Sequence, residues 1–219
     1  MLVSVVIPTW NRAEILRYRT IPSILEQTYK DFEIVVVGDC CTDNTPQLLA
    51  EFKDPRIRWQ NLTKRGPYPD NPVLRWYVAG THPLNRGYEL AKGDWIFDLD
   101  DDDEFYPNHI KDLLDTANAA KADFVYGKCK MVSIKLIKNI GRYCGQWPPV
   151  RGRITRCTLA HKRSLNIRAN IDAWKLKEPG DWNLIRTQME RKVKMAFCDK
   201  VVSIHYDENS NMRKEMGKK

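Results

Sequence analysis

A chain of 219 residues with 42% apolar content is long enough to bury a sizeable core in one large domain or two small ones. The net charge of +8 makes its surface attractive to anions: nucleotide phosphates, a phospholipid or polyprenyl-phosphate face, or nucleic acid. Nucleic acid is the weakest of these because no helix-turn-helix, zinc-finger or RNA-binding signature is present, and six cysteines without Cys-x-x-Cys spacing argue against zinc ribbons and stapled secreted folds.

The opening Leu2 to Ile7 lacks a basic leader and stops at Pro8, which predicts a first strand and not a signal peptide. A helix over 13–28 follows, with Pro22 expected to kink it or restart it after Thr20. Strand 32–37 carries Ile34 to Val37, apolar on both faces as a central parallel strand requires. A helix over 44–52 and a strand over 57–61 come next. From Leu62 to Thr81, Gly66, Pro67, Pro69 and Pro72 break any period, and the segment reads as a mobile flap. A helix ending near Ala91 leads to strand Trp95 to Phe97. Pro107 opens a helix to about Ala120, with Ile110, Leu113, Leu114 and Ala117 on one face. Beyond it, 123–132, 133–143 and 153–159 read as extended segments, 182–192 as a helix and 194–205 as a strand. The tail from Asn209 is polar and basic, either frayed or the cut end of a longer protein. Alternating strands and helices specify helices covering a mostly parallel sheet. No apolar run approaches the ~18 residues that cross a bilayer. The expectation is a cytoplasmic protein with reduced cysteines, soluble or peripheral to a membrane through its basic surface.

The densest chemistry is Asp98-Leu99-Asp100-Asp101-Asp102-Asp103-Glu104, directly after an apolar strand. An acidic run is usually a solvated turn. Carboxylates stacked at a strand end repel one another unless a cation sits among them, so this run is read as a divalent-metal site. Ligands of open parallel sheets collect at strand carboxyl ends, and two more suggestive segments lie there: Pro8-Thr9-Trp10-Asn11-Arg12, and Gly38-Asp39. Trp10 is a stacking face for a nucleobase, or simply a surface aromatic. Asp39 is an acceptor for an imino proton, or part of a helix-initiating turn with Thr42 and Asp43.

In order along the chain, Val3 to Arg12, Ser23 to Tyr29, Glu33 to Asp39, Thr42 to Thr45 and Ala91 to Asp103 resemble the family 2 glycosyltransferases over most of residues 3–107. The resemblance implies an α/β GT-A fold: a Rossmann-like three-layer sandwich with a mostly parallel central sheet and a smaller mixed region. It implies a single domain over 1–219, with a nucleotide-sugar half (1–105) and an acceptor half (106–219). It also implies an inverting enzyme that moves a sugar from a nucleotide-diphosphate donor, UDP before dTDP, to a hydroxyl of a glycan or lipid-linked acceptor, with Mn²⁺ or Mg²⁺. Carried over by position, Asp100 or Asp101 meets the ribose and Asp102 the metal, while Pro8, Thr9, Trp10 and Asp39 hold the base. Gly38 stands where relatives often place an acid, Cys40-Cys41 where they place Gly-Ser, and Leu84 where many place an arginine. That last departure leaves diphosphate or base contact to Arg75, Arg65 or Arg86.

Gly180-Asp181-Trp182 resembles the family's acidic motif at a helix start, which makes Asp181 the candidate base with Glu178 in reserve; an N-cap is the plainer use of such an aspartate. His205 resembles a late histidine that some relatives add to the metal, though a histidine near a strand end is more often structural, and His161 is expected to shape the acceptor or donor pocket. Two rival readings stand beside the transferase. A nucleotidyltransferase needs a glycine-rich phosphate loop after the first strand, where this chain has none, and a non-catalytic module would bind nucleotide sugars without turnover.

Overall fold

The structure is a computed structural model that describes residues 1–132 and 142–206. The expected extended segment 133–143 falls largely outside the described residues, and the tail from Asn209 entirely so. In chain order the elements are β1 (Val3–Thr9), α1 (Ala13–Ile15), a π-helical turn (Leu16–Thr20), α2 (Ile21–Leu25), β2 (Phe32–Gly38), α3 (Thr45–Glu51) and β3 (Ile57–Asn61). Next come α4 (Pro72–Trp76), α5 (Thr81–Leu90), β4 (Trp95–Asp98), β5 (Glu104–Phe105), α6 (His109–Ala120), β6 (Phe124–Val132) and β7 (Arg142–Cys144). The described chain closes with β8 (Leu159–Lys162), α7 (Gly180–Glu190) and β9 (Met195–Tyr206).

All nine strands among the described residues share one sheet in the order β3-β2-β1-β4-β8-β6-β9-β5, with β7 paired to β6. The first four are mutually parallel, so the carboxyl ends of β1, β2 and β4 lie along one edge, with Thr9 opposite Gly38 and Val6 opposite Asp98. Past β4 the sheet turns mixed: β8 runs antiparallel to both β4 and β6, and β5 antiparallel to β9. Two-residue periodicity sends alternate side chains to opposite faces. Val3, Val5, Ile7, Ile34 and Val36 pack with Leu16, Ile21 and Ile24 of the first helical stretch and Ile110, Leu113 and Leu114 of α6. Val6, Val35 and Val37 face Leu84 and Tyr88 of α5, and the same cluster includes Leu184 and Ile185 of α7. Helices therefore cover both faces, which is the expected three-layer sandwich. Gly87 lets α5 approach this closely, because a Cβ there would stand 2.2 Å from Cγ1 of Val6. No described helix is long and apolar enough to cross a membrane.

The restart after Thr20 is present, with Pro22 in the first turn of α2, but a π-helical turn precedes it that periodicity did not signal. Two readings are corrected. The segment 62–81, expected as a flap without period, carries a helix: the Asn71 side chain caps α4 by accepting from the amides of Val73 and Leu74, and Tyr68 packs edge-on against His82. Within 153–159, residues Arg156–Thr158 form a 3₁₀ turn, held by Thr158 Oγ1 donating to the Thr155 carbonyl, and the strand begins only at Leu159.

His109 is fully buried at the start of α6, stacked on Phe105 at 3.5 Å, with Nδ1 2.9 Å from the Val202 carbonyl. Burial pushes its pKa down from 6.5 to about 3, so below 6.5 the unfolded chain takes up a proton that the folded chain refuses. Stability supplied by the neutral ring is present above pH 6.5 and is lost as pH falls toward 3. Urea denaturation from pH 6 to 4 should show unfolding free energy falling more steeply in the native chain than in His109→Phe, by up to about 1.4 kcal/mol per pH unit. Equal slopes would refute the buried neutral histidine.

Candidate active site

An open cleft of about 300 Å³ lies over the carboxyl ends of the parallel strands, and ten of the residues predicted for the site line it: Pro8, Thr9, Trp10, Asp39, Arg75, Asp100, Asp101, Asp102, Asp181 and His205. The end of β1 supplies Pro8 to Trp10, the end of β2 supplies Asp39, and the loop after β4 supplies the acids. That loop is held by its backbone. Thr20 Oγ1 donates to the carbonyls of Asp101 (2.8 Å) and Asp103 (3.1 Å), and Arg19 Nη1 donates to that of Asp102 (2.9 Å). Both side chains come from the π-helical turn, a distortion often found at functional sites.

Each acid of the loop has different company. Asp98 is completely buried and accepts from the Tyr88 hydroxyl through both oxygens, at 2.9 and 2.8 Å; burial raises its pKa to about 6. Asp100 pairs with Arg156 Nε at 3.1 Å, yet burial still carries it up to about 7. Asp101 accepts from the Trp10 amide at 3.3 Å. Asp103, fully buried, accepts from the Tyr206 amide at 3.0 Å and meets His205 Nδ1 at 2.9 Å. Burial works against a charged His205, and the adjoining Asp103 overrides it to hold the imidazole pKa above its ordinary value. Asp102 faces Arg12 at 3.8 Å, beyond hydrogen-bond length. Burial, then Asp103, Asp101 and Asp100, raise its pKa to about 8. A half-buried carboxylate crowded by three others has the chemistry of a hard divalent cation's ligand, since such an ion would relieve both causes.

Past the ends of β1 and β2, the Arg65 guanidinium lies 3.5 Å over the Trp10 ring and its Nε is 3.4 Å from the buried Asp39. The Gly66 amide donates to the other Asp39 oxygen at 3.3 Å. Of the three arginines left open by sequence, Arg65 and Arg75 line the cleft. Arg75 donates to the carbonyls of Pro69 and Asp70, tying down the loop before α4. Arg86 is excluded, since it bonds Gln60 and Glu89 along a different hollow.

Asp181 lies at the second position of α7, whose N-cap is Pro179, so it is not the capping residue. Its Oδ1 accepts from the Trp182 amide at 2.6 Å. Glu178 is a poor reserve: Arg186 and Asn183 clamp it, its pKa stays low although burial opposes this, and it does not line the cleft. His161 is likewise corrected, being buried in the sheet edge-on to Tyr88 and outside the cleft lining.

The residue that sequence reasoning missed is Arg156, on the 3₁₀ turn before β8. Pairing β8 against β4 carries it beside Asp98 and Asp100, and Gly180 leaves room for it, since a Cβ there would lie 3.0 Å from its Nη2. In sequence it is one basic residue among Arg151, Arg153 and Arg156, with no period to single it out.

A family model described as glycosyl transferase family 2 matches residues 4–68 and 82–175, and the chain belongs to that family. It is 35% identical over 133 residues to the succinoglycan biosynthesis protein ExoO of Rhizobium meliloti, a match covering 60% of this chain and 34% of ExoO. The solved structure of Staphylococcus aureus TarS 1–349 in complex with UDP-GlcNAc superposes with a TM-score of 0.71 at 22% identity, covering 97% of this chain and 61% of that one. The mannosyltransferase PcManGT of Pyrobaculum calidifontis, in complex with GDP-Man and Mn²⁺, superposes with a TM-score of 0.67 at 16% identity, covering 97% and 59%. These structural likenesses establish the GT-A fold. The chain spans little more than a third of the length of the curated relatives it matches.

Removing the charge of Arg156 leaves Asp98 and Asp100 without their shared cation. Arg156→Met should lower the unfolding free energy by on the order of 3 kcal/mol, read by denaturant titration. A loss under about 1 kcal/mol would show that the pair does not anchor the acidic loop.

Proposed function

We propose that this chain transfers a sugar from a nucleoside-diphosphate sugar, UDP-linked before dTDP-linked, to a hydroxyl group of a glycan or lipid-linked glycan, with inversion at the anomeric carbon. The observation that carries this reading is the convergence of base-binding, acidic and candidate-base residues on one cleft at the strand ends. Family membership supports sugar transfer, and the UDP-GlcNAc of TarS and the GDP-Man and Mn²⁺ of PcManGT support the donor class and the ion.

In this reading Trp10 stacks on the base, Asp39 accepts its imino proton, and Arg65, now lying on Trp10, swings aside to admit the ring. Asp100 and Asp101 receive ribose hydroxyls. Asp102 and His205 hold Mn²⁺ or Mg²⁺, which when bound neutralises charge on the departing diphosphate. Asp181 takes the proton of the acceptor hydroxyl while that oxygen bonds to the anomeric carbon. The bond from that carbon to the diphosphate oxygen breaks on the opposite face. Four adjacent acids do not all ligate one ion, and the structure gives Asp98 to Tyr88 and Asp103 to His205.

With a turned-over donor and acceptor, the nucleotide product should be the nucleoside diphosphate; pyrophosphate would convert the assignment to nucleotidyl transfer. Asp181→Asn should bind the donor with unchanged Kd while kcat falls roughly 10² to 10⁴-fold, the usual worth of a general base. Near-native kcat would remove Asp181 from the chemistry. Trp10→Ala should weaken UDP by about 1–3 kcal/mol in isothermal titration, and an unchanged Kd would show that the indole does not carry the base.

A further inference from the structure

Behind the acidic loop, three donors of different hardness meet. A carboxylate oxygen of Asp103, a ring nitrogen of His205 and Sγ of Cys157 all lie within 4.8 Å of one another. The fold assembles them from three places. Pairing of β5 with β9 sets Glu104 opposite Ile204 and so brings Asp103 alongside His205, and the 3₁₀ turn Arg156–Thr158 folds Cys157 beneath them. Asp103 and Cys157 are fully buried, whereas His205 reaches the cleft, giving the set one opening. Around the sulfur, Ser203 Oγ donates at 3.4 Å and Thr155 Oγ1 lies at 3.5 Å. The Ser203 hydroxyl so placed can donate to a thiolate, while that of Thr155 donates to Cys129 Sγ at 3.2 Å.

We propose that Asp103, Cys157 and His205 form a binding site for a borderline-soft divalent ion of the zinc or cobalt class. Oxygen, imidazole nitrogen and thiolate sulfur together are a zinc-type donor set, whereas Mg²⁺ takes oxygen ligands. Three protein ligands leave a fourth position for water or an anion from the cleft. On binding, bonds form from the ion to oxygen, nitrogen and sulfur; the Cys157 thiol proton and the proton that His205 Nδ1 shares with Asp103 pass to solvent. The inference rests on the transferase reading only in that His205 belongs to both ligand sets, so an ion seated here competes with the one at Asp102 for that ring. A thiol that merely fills core space would show none of this chemistry.

The test is titration of the full chain with Co²⁺ alone, without nucleotide, followed by absorption. The native chain should bind one equivalent with a thiolate-to-cobalt charge-transfer band in the near ultraviolet. Cys157→Ser should lose that band, His205→Gln should weaken binding by about tenfold or more, and Cys198→Ser, altered at a buried thiol of β9, should keep both. X-ray absorption at the cobalt edge of the native chain, which depends on no variant folding, should show one sulfur among nitrogen and oxygen neighbours. A native chain without the band or the sulfur shell overturns the site, as does a band that survives Cys157→Ser and disappears in Cys129→Ser. The cobalt band together with absent sugar transfer would sustain this site and defeat the transferase reading; sugar transfer without the band would do the reverse.

Discussion

Four consecutive carboxylates, Asp100 to Asp103, are folded onto the end of a buried strand, and much of the surrounding architecture answers the repulsion among them. Thr20 and Arg19 grip the carbonyls of the loop, so its backbone is fixed independently of its charges. Arg156 is brought in from the antiparallel half of the sheet to meet Asp100, and His205 from the last strand to meet Asp103. Asp101 is turned toward the Trp10 amide. What remains is Asp102, with a guanidinium at 3.8 Å and three carboxylates around it. The fold thus makes Asp102, which lines the cleft, the acid of the loop whose ionisation is opposed by burial and by three neighbouring carboxylates together.

The parallel half was legible because its signals are local. Ile34 to Val37 is apolar on both faces, Pro22 marks a helix restart, and strands alternate with helices at short spacing, so β1, β2 and β4 and the residues at their ends could be placed together. The mixed half of the sheet was less legible for a physical reason. Its strands pair across long separations, β8 with β4 and β9 with β5, and no periodicity in a single segment announces its partner. Arg156 shows the consequence: its role depends wholly on that pairing, while its neighbours in sequence make it look like one more surface arginine. The same holds for Cys157, which no spacing singles out among the six cysteines until the 3₁₀ turn sets it beside His205. In α4 the local signal was present, since Asn71-Pro72 is a capped helix start, but the surrounding prolines and glycine masked it.

Two motifs changed meaning between sequence and structure. Asp181 keeps its candidacy as a base and loses the alternative of capping, because Pro179 occupies that position. His161, adjacent in sequence to family-like residues, points into the sheet, where burial pushes its pKa down to about 4 and keeps the ring neutral. Resemblance located the neighbourhood in both cases, and the structure lines the cleft with Asp181 and leaves His161 out of it.

If the acidic loop captures a divalent ion together with a nucleoside diphosphate, as proposed, the two ligands bind cooperatively. Isothermal titration of UDP into the native chain and into Asp102→Ala, each with and without Mn²⁺, tests it most directly. Mn²⁺ should tighten UDP binding to the native chain by tenfold or more, about 1.4 kcal/mol, and leave Asp102→Ala unaffected. Equal affinity with and without the ion in the native chain, or an undiminished Mn²⁺ effect in the variant, would contradict it.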